Sequence, residues 1–209
     1  MTKPAKTRPV SNDDSLKKII TLTSNPPSSI YTPSDDSFLM LDAISRIPLT
    51  GKRVLDIGTG SGILALYSAT RGGEVTASDI DHEALSHTRK AAAALGVQIK
   101  LQVSDLFSNI PERFDLMLFN PPYLPSAEIS DRTVDGGANG TTLIDRFLIE
   151  LPAHLNKKAE ALLLLSSLNN PSSVRSRHRN LEFTTVARKA LFFECLQVSR
   201  LRFRDDLTI

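Results

Sequence analysis

An apolar stretch that runs straight into three closely spaced glycines, Val54-Leu55-Asp56-Ile57-Gly58-Thr59-Gly60-Ser61-Gly62, leaves this chain few folds to choose from. A short apolar run bounded by glycines reads as a buried strand. Glycines at this spacing let the backbone turn tightly and approach a ligand before a helix begins. The apolar residues that follow, over 63–71, carry that helix. The pattern then repeats. Residues 74–78 read as a strand ending at Asp79, 81–95 as a helix stopped by Gly96, and 99–104 as a strand ending at Asp105. Phe114–Phe119 reads as a fourth strand, 141–155 as a helix and 161–167 as a fifth strand. Strands alternating with helices form parallel βαβ units. Residues 170–180 read as a loop or short helix, and 183–190 with 191–203 as a closing antiparallel pair. The expected fold is therefore α/β and Rossmann-like: a mostly parallel seven-stranded sheet with a C-terminal antiparallel hairpin and helices on both faces.

In such sheets ligands gather at the C-terminal ends of the strands, so the residues at those ends matter most. The fourth strand stops at Asn120-Pro121-Pro122-Tyr123. Prolines lack the N–H a strand needs and fix φ, and a residue before proline is held extended. This makes a rigid corner that presents one carboxamide and one aromatic ring. A carboxamide oxygen accepts from a planar –NH2, and an aromatic ring packs against its plane. The competing reading is a plain structural turn.

The acids at the other strand ends weigh against that reading. Asp79 stands where nucleotide-binding α/β folds hydrogen-bond ribose hydroxyls. Asp105 can accept from an adenine amino group, and Asp56, beside the glycine loop, can pair with an ammonium. The glycine spacing is G-x-G-x-G, with Ile63 where the dinucleotide fingerprint needs another glycine. Acceptors for ribose, adenine and a cationic amino acid, with no basic clamp for phosphates, suit S-adenosyl-L-methionine better than a pyrophosphate cofactor.

These motifs together resemble class I S-adenosylmethionine-dependent methyltransferases that modify amino groups on planar nitrogen. Two more stretches are similar to the HemK-type protein-(glutamine-N5) methyltransferases. One is Asp135-Gly136-Gly137-Ala138-Asn139-Gly140, leading to Leu143-Ile144-Asp145-Arg146-Phe147. The other, Tyr31-Thr32-Pro33-Ser34-Asp35-Asp36-Ser37-Phe38, is similar to the opening of the short eukaryotic and archaeal branch, with Asp35 and Ser37 where that branch has Glu and Thr. The resemblance runs from Tyr31 to the end of the fifth strand.

It implies methylation of the side-chain amide of a glutamine, in the Gly-Gly-Gln loop of a class 1 peptide chain release factor. It also implies a catalytic set of Asn120, Pro121, Pro122 and Tyr123. The cofactor set comprises Ser37, Asp56, Gly58, Gly60, Asp79, Ile80, Asp105, Leu106 and Asn120. A small zinc-binding activator subunit is implied as a partner, docked at an apolar edge near the third strand. The runner-up is a nucleic-acid amino-methyltransferase acting on adenine N6 or cytosine N4. It shares the Asn-Pro-Pro-Tyr corner, and the basic N-terminus and the Arg175–Arg179 run would serve it. A lysine methyltransferase needs a deprotonated amine that this corner does not supply, and an intact corner argues against a non-catalytic scaffold.

Composition narrows the setting. With 209 residues, 41% of them hydrophobic, the chain suits one domain over 30–209, preceded by a flexible basic extension over 1–29 that carries Lys3, Lys6, Arg8, Lys17 and Lys18 and a short helix near Leu16–Leu22. A formal charge of +2 does not announce nucleic acid. A single cysteine, Cys195, excludes an internal disulfide and reads as a packed core thiol. His82, His87, His154 and His178 form no metal-binding spacing. No apolar run reaches the roughly 20 residues that span a bilayer, and no leader pattern opens the chain. The expectation is a cytoplasmic protein.

Overall fold

The computed structural model describes residues 14–122 and 141–204. In chain order these form α1 (Asp14–Thr23), α2 (Asp35–Ser45), β1 (Arg53–Ile57), α3 (Ile63–Thr70), β2 (Glu74–Asp79), α4 (His82–Leu95), β3 (Lys100–Val103) and β4 (Phe114–Phe119). Then follow α5 (Thr142–His154), β5 (Leu155–Ser166), a short 3-10 helix (Ser167–Asn169), α6 (Pro171–Arg177), β6 (Leu181–Ala190) and β7 (Cys195–Phe203).

The strands form one seven-stranded sheet in the order β3-β2-β1-β4-β5-β7-β6. The first five are parallel, and β7 runs antiparallel to both β5 and β6. The order reverses between β1 and β4, which pair from Val54↔Leu116 to Ile57↔Phe119. Connections after these two strands leave in opposite directions and open a crevice at their C-terminal ends.

Period-two alternation sorts the strand residues onto two faces. Val54, Leu116, Leu118, Leu162 and Leu164 join one core cluster with residues of α1, α2, α3 and α4. Leu55, Ile57, Met117, Phe119, Leu163 and Leu165 join a second with Ile144, Phe147, Leu148 and Leu151 of α5 and Val174 of α6. The expected layering of helices on both faces is present.

Several expectations change at the element ends. The extension anticipated over 1–29 contains α1, which buries Leu16 and Ile19 in the first core. The short helix expected near 16–22 is present, with Leu16, Ile19, Ile20 and Thr23 at helical spacing; what its basic and polar neighbours hid is that this face is docked. Lys18 Nζ donates to the Ala94 carbonyl at 2.8 Å, placing a cation at the C-terminal end of α4, where the helix dipole favours it. β5 begins at Leu155, well before the apolar run that marks it in sequence, because its first turn carries Lys157 and Lys158, the latter at φ +62°. Residues 191–194 are a turn, with the Leu191 N–H donating to the Glu194 carbonyl at 2.8 Å, so β7 starts only at Cys195. Cys195 is half-buried at that strand end and is not a core thiol.

Helix α4 follows local rules closely. The Asp81 side chain caps it by accepting from the Glu83 N–H at 2.8 Å, and Gly96 ends it at φ +70°. One glycine has no substitute. Gly62 sits at φ +83°, and a Cβ there would lie 2.6 Å from Thr88 Oγ1.

Two outcomes test this packing. Ile19 is fully buried, so Ile19→Ala should lower unfolding free energy by about 2–5 kcal/mol in urea titration; a detachable extension would show almost no loss. Gly62→Ala should destabilise through both contact and backbone. Adding Thr88→Ala should recover the contact part and leave a residue of about 1–2 kcal/mol from the left-handed backbone.

Candidate active site

The crevice between β1 and β4 receives the glycine loop from one side and the Asn-Pro-Pro corner from the other. The loop is pinned from below. Thr59 N–H donates to the Ser78 carbonyl at 2.9 Å, and Gly62 N–H to the Thr59 carbonyl at 2.8 Å. Gly60 N–H donates to Asp79 Oδ2 at 2.9 Å. Above the loop there is space. A Cβ on Gly58 would meet only Phe119, at 4.0 Å, and one on Gly60 only the Gly58 carbonyl, at 4.0 Å. The loop is thus a cradle, held by its neighbours and open on its upper side.

Asp79 does two jobs at the end of β2. Its Oδ2 accepts from Gly60 and its Oδ1 from the Asp81 N–H at 3.0 Å. Each carboxylate oxygen keeps a further lone pair for a hydroxyl. Burial raises the Asp79 pKa, against those N–H donors that lower it. Ile80 follows with 59% of its surface exposed, an apolar face beside this carboxylate.

Asp56 is enclosed, at 1% exposure. It accepts from Thr59 Oγ1 at 2.7 Å. Burial pushes its pKa from 3.8 up to about 7, opposed by hydrogen bonds from Thr59 and the Ala65 backbone and assisted by the nearby charge of Asp79. A carboxylate so placed gains from an approaching cation.

Asp105 is paired. Arg146 Nη2 donates to its Oδ2 at 3.0 Å, and both side chains are about half exposed, at 47% each. Next to it Leu106 holds φ +48°, an uncommon backbone for a bulky residue, while its side chain is buried in the second core. The Ser104 hydroxyl fixes this bend, donating to the Leu106 carbonyl at 2.8 Å and accepting from the Asn109 N–H at 3.0 Å. Leu106 therefore turns its main chain, and not its side chain, to the strand end.

Asn120 follows the last residue of β4. Its Oδ1 is buried without a hydrogen-bond partner among the described residues. A buried carbonyl oxygen left unpaired costs about 1–3 kcal/mol. Native structures keep few such atoms, and each requires an explanation. Pro121 is buried and Pro122 half-buried after it. Tyr123 and the 135–140 segment lie outside the described residues.

Ser37 lies on another element, α2. It is buried in the first turn of α2, where its hydroxyl donates to Asp36 Oδ1 at 3.1 Å, while Asp36 Oδ2 accepts from the Tyr31 hydroxyl at 3.0 Å. The Ser37 hydroxyl thus bonds its own neighbour in the helix turn. Sequence reasoning missed Thr59, Arg146 and Phe119 as parts of the site. Thr59 could have been found, since a hydroxyl three residues after a buried acid can reach back to it. Nothing local announces Arg146, which stands 41 residues from its partner.

The residues present fit S-adenosyl-L-methionine: an open glycine cradle, a carboxylate at the ribose position with lone pairs left, an exposed apolar side chain after it, and a buried acid that favours a cation.

Residues 34–165 match the methyltransferase small domain family. The chain is 34% identical over 178 residues to a candidate protein N5-glutamine methyltransferase of Methanocaldococcus jannaschii, covering 81% of this chain and 89% of that protein. It is 30% identical over 189 residues to the Homo sapiens methyltransferase HEMK2, covering 82% and 88%. Among solved structures it resembles the E. cuniculi Mtq2–Trm112 complex, which methylates the eRF1 translation termination factor. The TM-score is 0.70 at 26% identity, covering 84% of this chain and 99% of that one.

The buried acid gives a pH signature. Asp56 keeps its proton to about pH 7 in the folded chain, against an ordinary value of 3.8. The folded state therefore binds more protons than the unfolded one between these values, and stability from this group falls as pH rises. Asp56→Asn should raise Tm more at pH 8 than at pH 5, by differential scanning calorimetry. An equal change at both pH values would contradict the shift.

Proposed function

Because this chain belongs to the methyltransferase small domain family, we propose that it transfers a methyl group from S-adenosyl-L-methionine to the side-chain amide nitrogen of a protein glutamine, in the loop of a release factor. The observation that carries this reading is the buried Asn120 Oδ1 at the end of β4, which has no hydrogen-bond partner among the described residues. That atom can only accept. It calls for a donor, and the –NH2 of a primary carboxamide supplies one.

The cofactor contributes an electrophilic methyl group on a sulfonium. Everything else is positioning by this chain. An amide nitrogen is a poor nucleophile because its lone pair is delocalised into the carbonyl. Asn120 Oδ1 and the Pro121 carbonyl accept from the two N–H bonds and hold the nitrogen's remaining face toward the cradle. The aromatic ring of Tyr123, which follows the two prolines in sequence, is the group the family resemblance assigns to the amide plane. The rigid Pro-Pro corner prevents this geometry from relaxing. Orientation of this kind supplies a large share of a barrier reduction. It also discriminates, because a substrate lacking –NH2 would leave the acceptors unpaired. Asp79 holds the ribose hydroxyls while fixing Gly60. Asp105 reaches the adenine amino group only as it shares or releases Arg146. Asp56 ionises as the ammonium of the methionine part arrives. Ser37, Ile80 and the Leu106 main chain complete the walls.

The partner reading follows from the sheet edge. Among the described residues β3 has no strand beyond it, and it is half-exposed along most of its length. Beside it lies an open groove of about 940 Å³ whose lining is mixed: Val97, Ile99 and Leu101 supply apolar surface, and Arg89, Lys100 and Glu112 supply charge. An open strand edge next to apolar surface suits a small subunit that adds a strand or packs along it. A stable, fully active isolated chain would count against this partner. A substrate drawn from translation termination puts the reaction in the cytoplasm.

The function is tested by offering labelled S-adenosyl-L-methionine with a class 1 release factor, with its loop glutamine intact or changed to alanine, and with RNA and DNA in parallel. Label confined to the intact factor is the expected result. Label on nucleic acid would establish the runner-up instead.

Two substitutions separate binding from chemistry. Asn120→Ala should cut transfer by about 100-fold or more, leave the cofactor Kd unchanged, and leave Tm unchanged or higher because it removes an unpaired acceptor. Asp79→Ala should weaken cofactor binding by about tenfold or more by calorimetry, since it loses charge-assisted hydrogen bonds. An unchanged Kd for Asp79→Ala would remove it from the ribose site.

A further inference from the structure

The turn between β6 and β7 carries two phenylalanines into solvent. Phe192 is 92% exposed and Phe193 87%. Their rings meet edge to face, with centroids 4.6 Å apart and planes at 85°. The turn beneath them is firmly built. It is closed by the Leu191 N–H on the Glu194 carbonyl. The Glu194 carboxylate accepts from the Ser166 hydroxyl, and the Cys195 N–H donates to Ser167 Oγ at 3.0 Å. Leu168, on the short 3-10 helix that supplies Ser167, is itself 45% exposed. Rings that were merely untidy would not be held up on so well-fastened a support.

Register places this turn at the site. Ser166, the last residue of β5, pairs with Leu196, and Ala190 pairs with Cys195. Residues 191–194 therefore stand above the C-terminal edge of the sheet, the edge where β4 delivers Asn120. The order β4-β5-β7-β6 puts the turn two to three strands from Asn120, roughly 10–14 Å at ordinary strand spacing. A glutamine held at Asn120 does not reach that far. Surface of the same substrate, about three or four extended residues away, does.

The chemistry of the patch selects the occupant. Among the described residues most cations near this edge are already paired: Lys189 with Asp35 at 2.7 Å, Arg177 with Asp145 at 2.9 Å and Arg146 with Asp105 at 3.0 Å; Arg188 is exposed and bonds the neutral Gln197 side chain at 3.4 Å, one cation rather than a track. Single-stranded nucleic acid needs free cations along its backbone as well as rings to stack on. An edge-to-face pair on a rim whose described residues offer one lone arginine and no run of free cations suits an apolar cleft in a folded protein.

We propose that Phe192 and Phe193 form the anchor that docks the protein substrate, entering an apolar cleft beside the loop that presents the glutamine. The proposal rests on the glutamine reading and specifies how a whole protein is recognised at that site. The anchor acts on substrate affinity and leaves the chemical step alone. Exposed aromatics in such roles account for a large part of binding.

The test is steady-state transfer by the full chain carrying Phe192→Ser and Phe193→Ser, with any required small subunit present, on an intact class 1 release factor. KM for that protein should rise at least about tenfold, in line with loss of a binding hot spot. The kcat, the cofactor Kd and Tm should stay at wild-type values, since these side chains touch neither the site nor the core. An unchanged KM while the wild type labels the factor would overturn the anchor and leave the glutamine reading standing. Failure of the wild type to label the factor would overturn that reading and the anchor's occupant with it. A wild-type dimer that the substitutions turn into a monomer, or a loss confined to RNA binding, would overturn the anchor by identifying another occupant.

Discussion

The parallel pairing of β1 with β4 is the constraint on which this molecule depends. Val54 to Ile57 lie against Leu116 to Phe119 in unbroken register. A slip of one residue would send every side chain of β4 to the opposite core. Register also decides which residues share the crevice. It sets Gly58 beside Phe119, at the 4.0 Å a Cβ would have to respect, and brings Asn120 up beside the cradle. The sheet's two apolar layers hold these ends in place, and the functional groups inherit their precision from a buried scaffold.

Against that scaffold the site is electrostatically and sterically uncomfortable. Asp56 is buried with its pKa pushed up to about 7. Asp79 is raised by the same burial. Leu106 holds a left-handed backbone, and Asn120 keeps a buried oxygen without a partner among the described residues. Each feature costs stability and each points into or beside the crevice. The rest of the sheet, with its fully buried Leu116, Met117, Leu118, Leu163 and Leu165, offsets that cost. Strained or unpaired groups gathered at one strand edge are what a binding site produces when its ligand completes the pairing.

Much of this was legible in the sequence, for physical reasons. Apolar runs that stop at Gly58, Asp79, Asp105 and Asn120 mark strand ends because those residues cannot continue a buried strand cheaply. The order of the elements then placed the ends on one edge. What escaped was set by tertiary contact. The helix at Asp14–Thr23 was legible as a short helix near 16–22, but its docking of Leu16 and Ile19 against α3 and α4 was not, because its basic neighbours resemble a tail. The Arg146–Asp105 pair joins residues far apart in sequence. The turn at 191–194 interrupts an apolar stretch that reads as one strand, because Phe192 and Phe193 carry strand chemistry but face solvent.

The central claim is that the Asn120 carbonyl oxygen is reserved for a substrate –NH2. The most direct measurement is a crystal structure of the chain with S-adenosyl-L-homocysteine and a Gly-Gly-Gln loop peptide. The account predicts the glutamine amide nitrogen at a hydrogen-bond distance of about 2.7–3.2 Å from Asn120 Oδ1, with its other hydrogen on the Pro121 carbonyl. A peptide bound elsewhere, or an Asn120 oxygen satisfied by the protein's own backbone while the glutamine lies free, would contradict it.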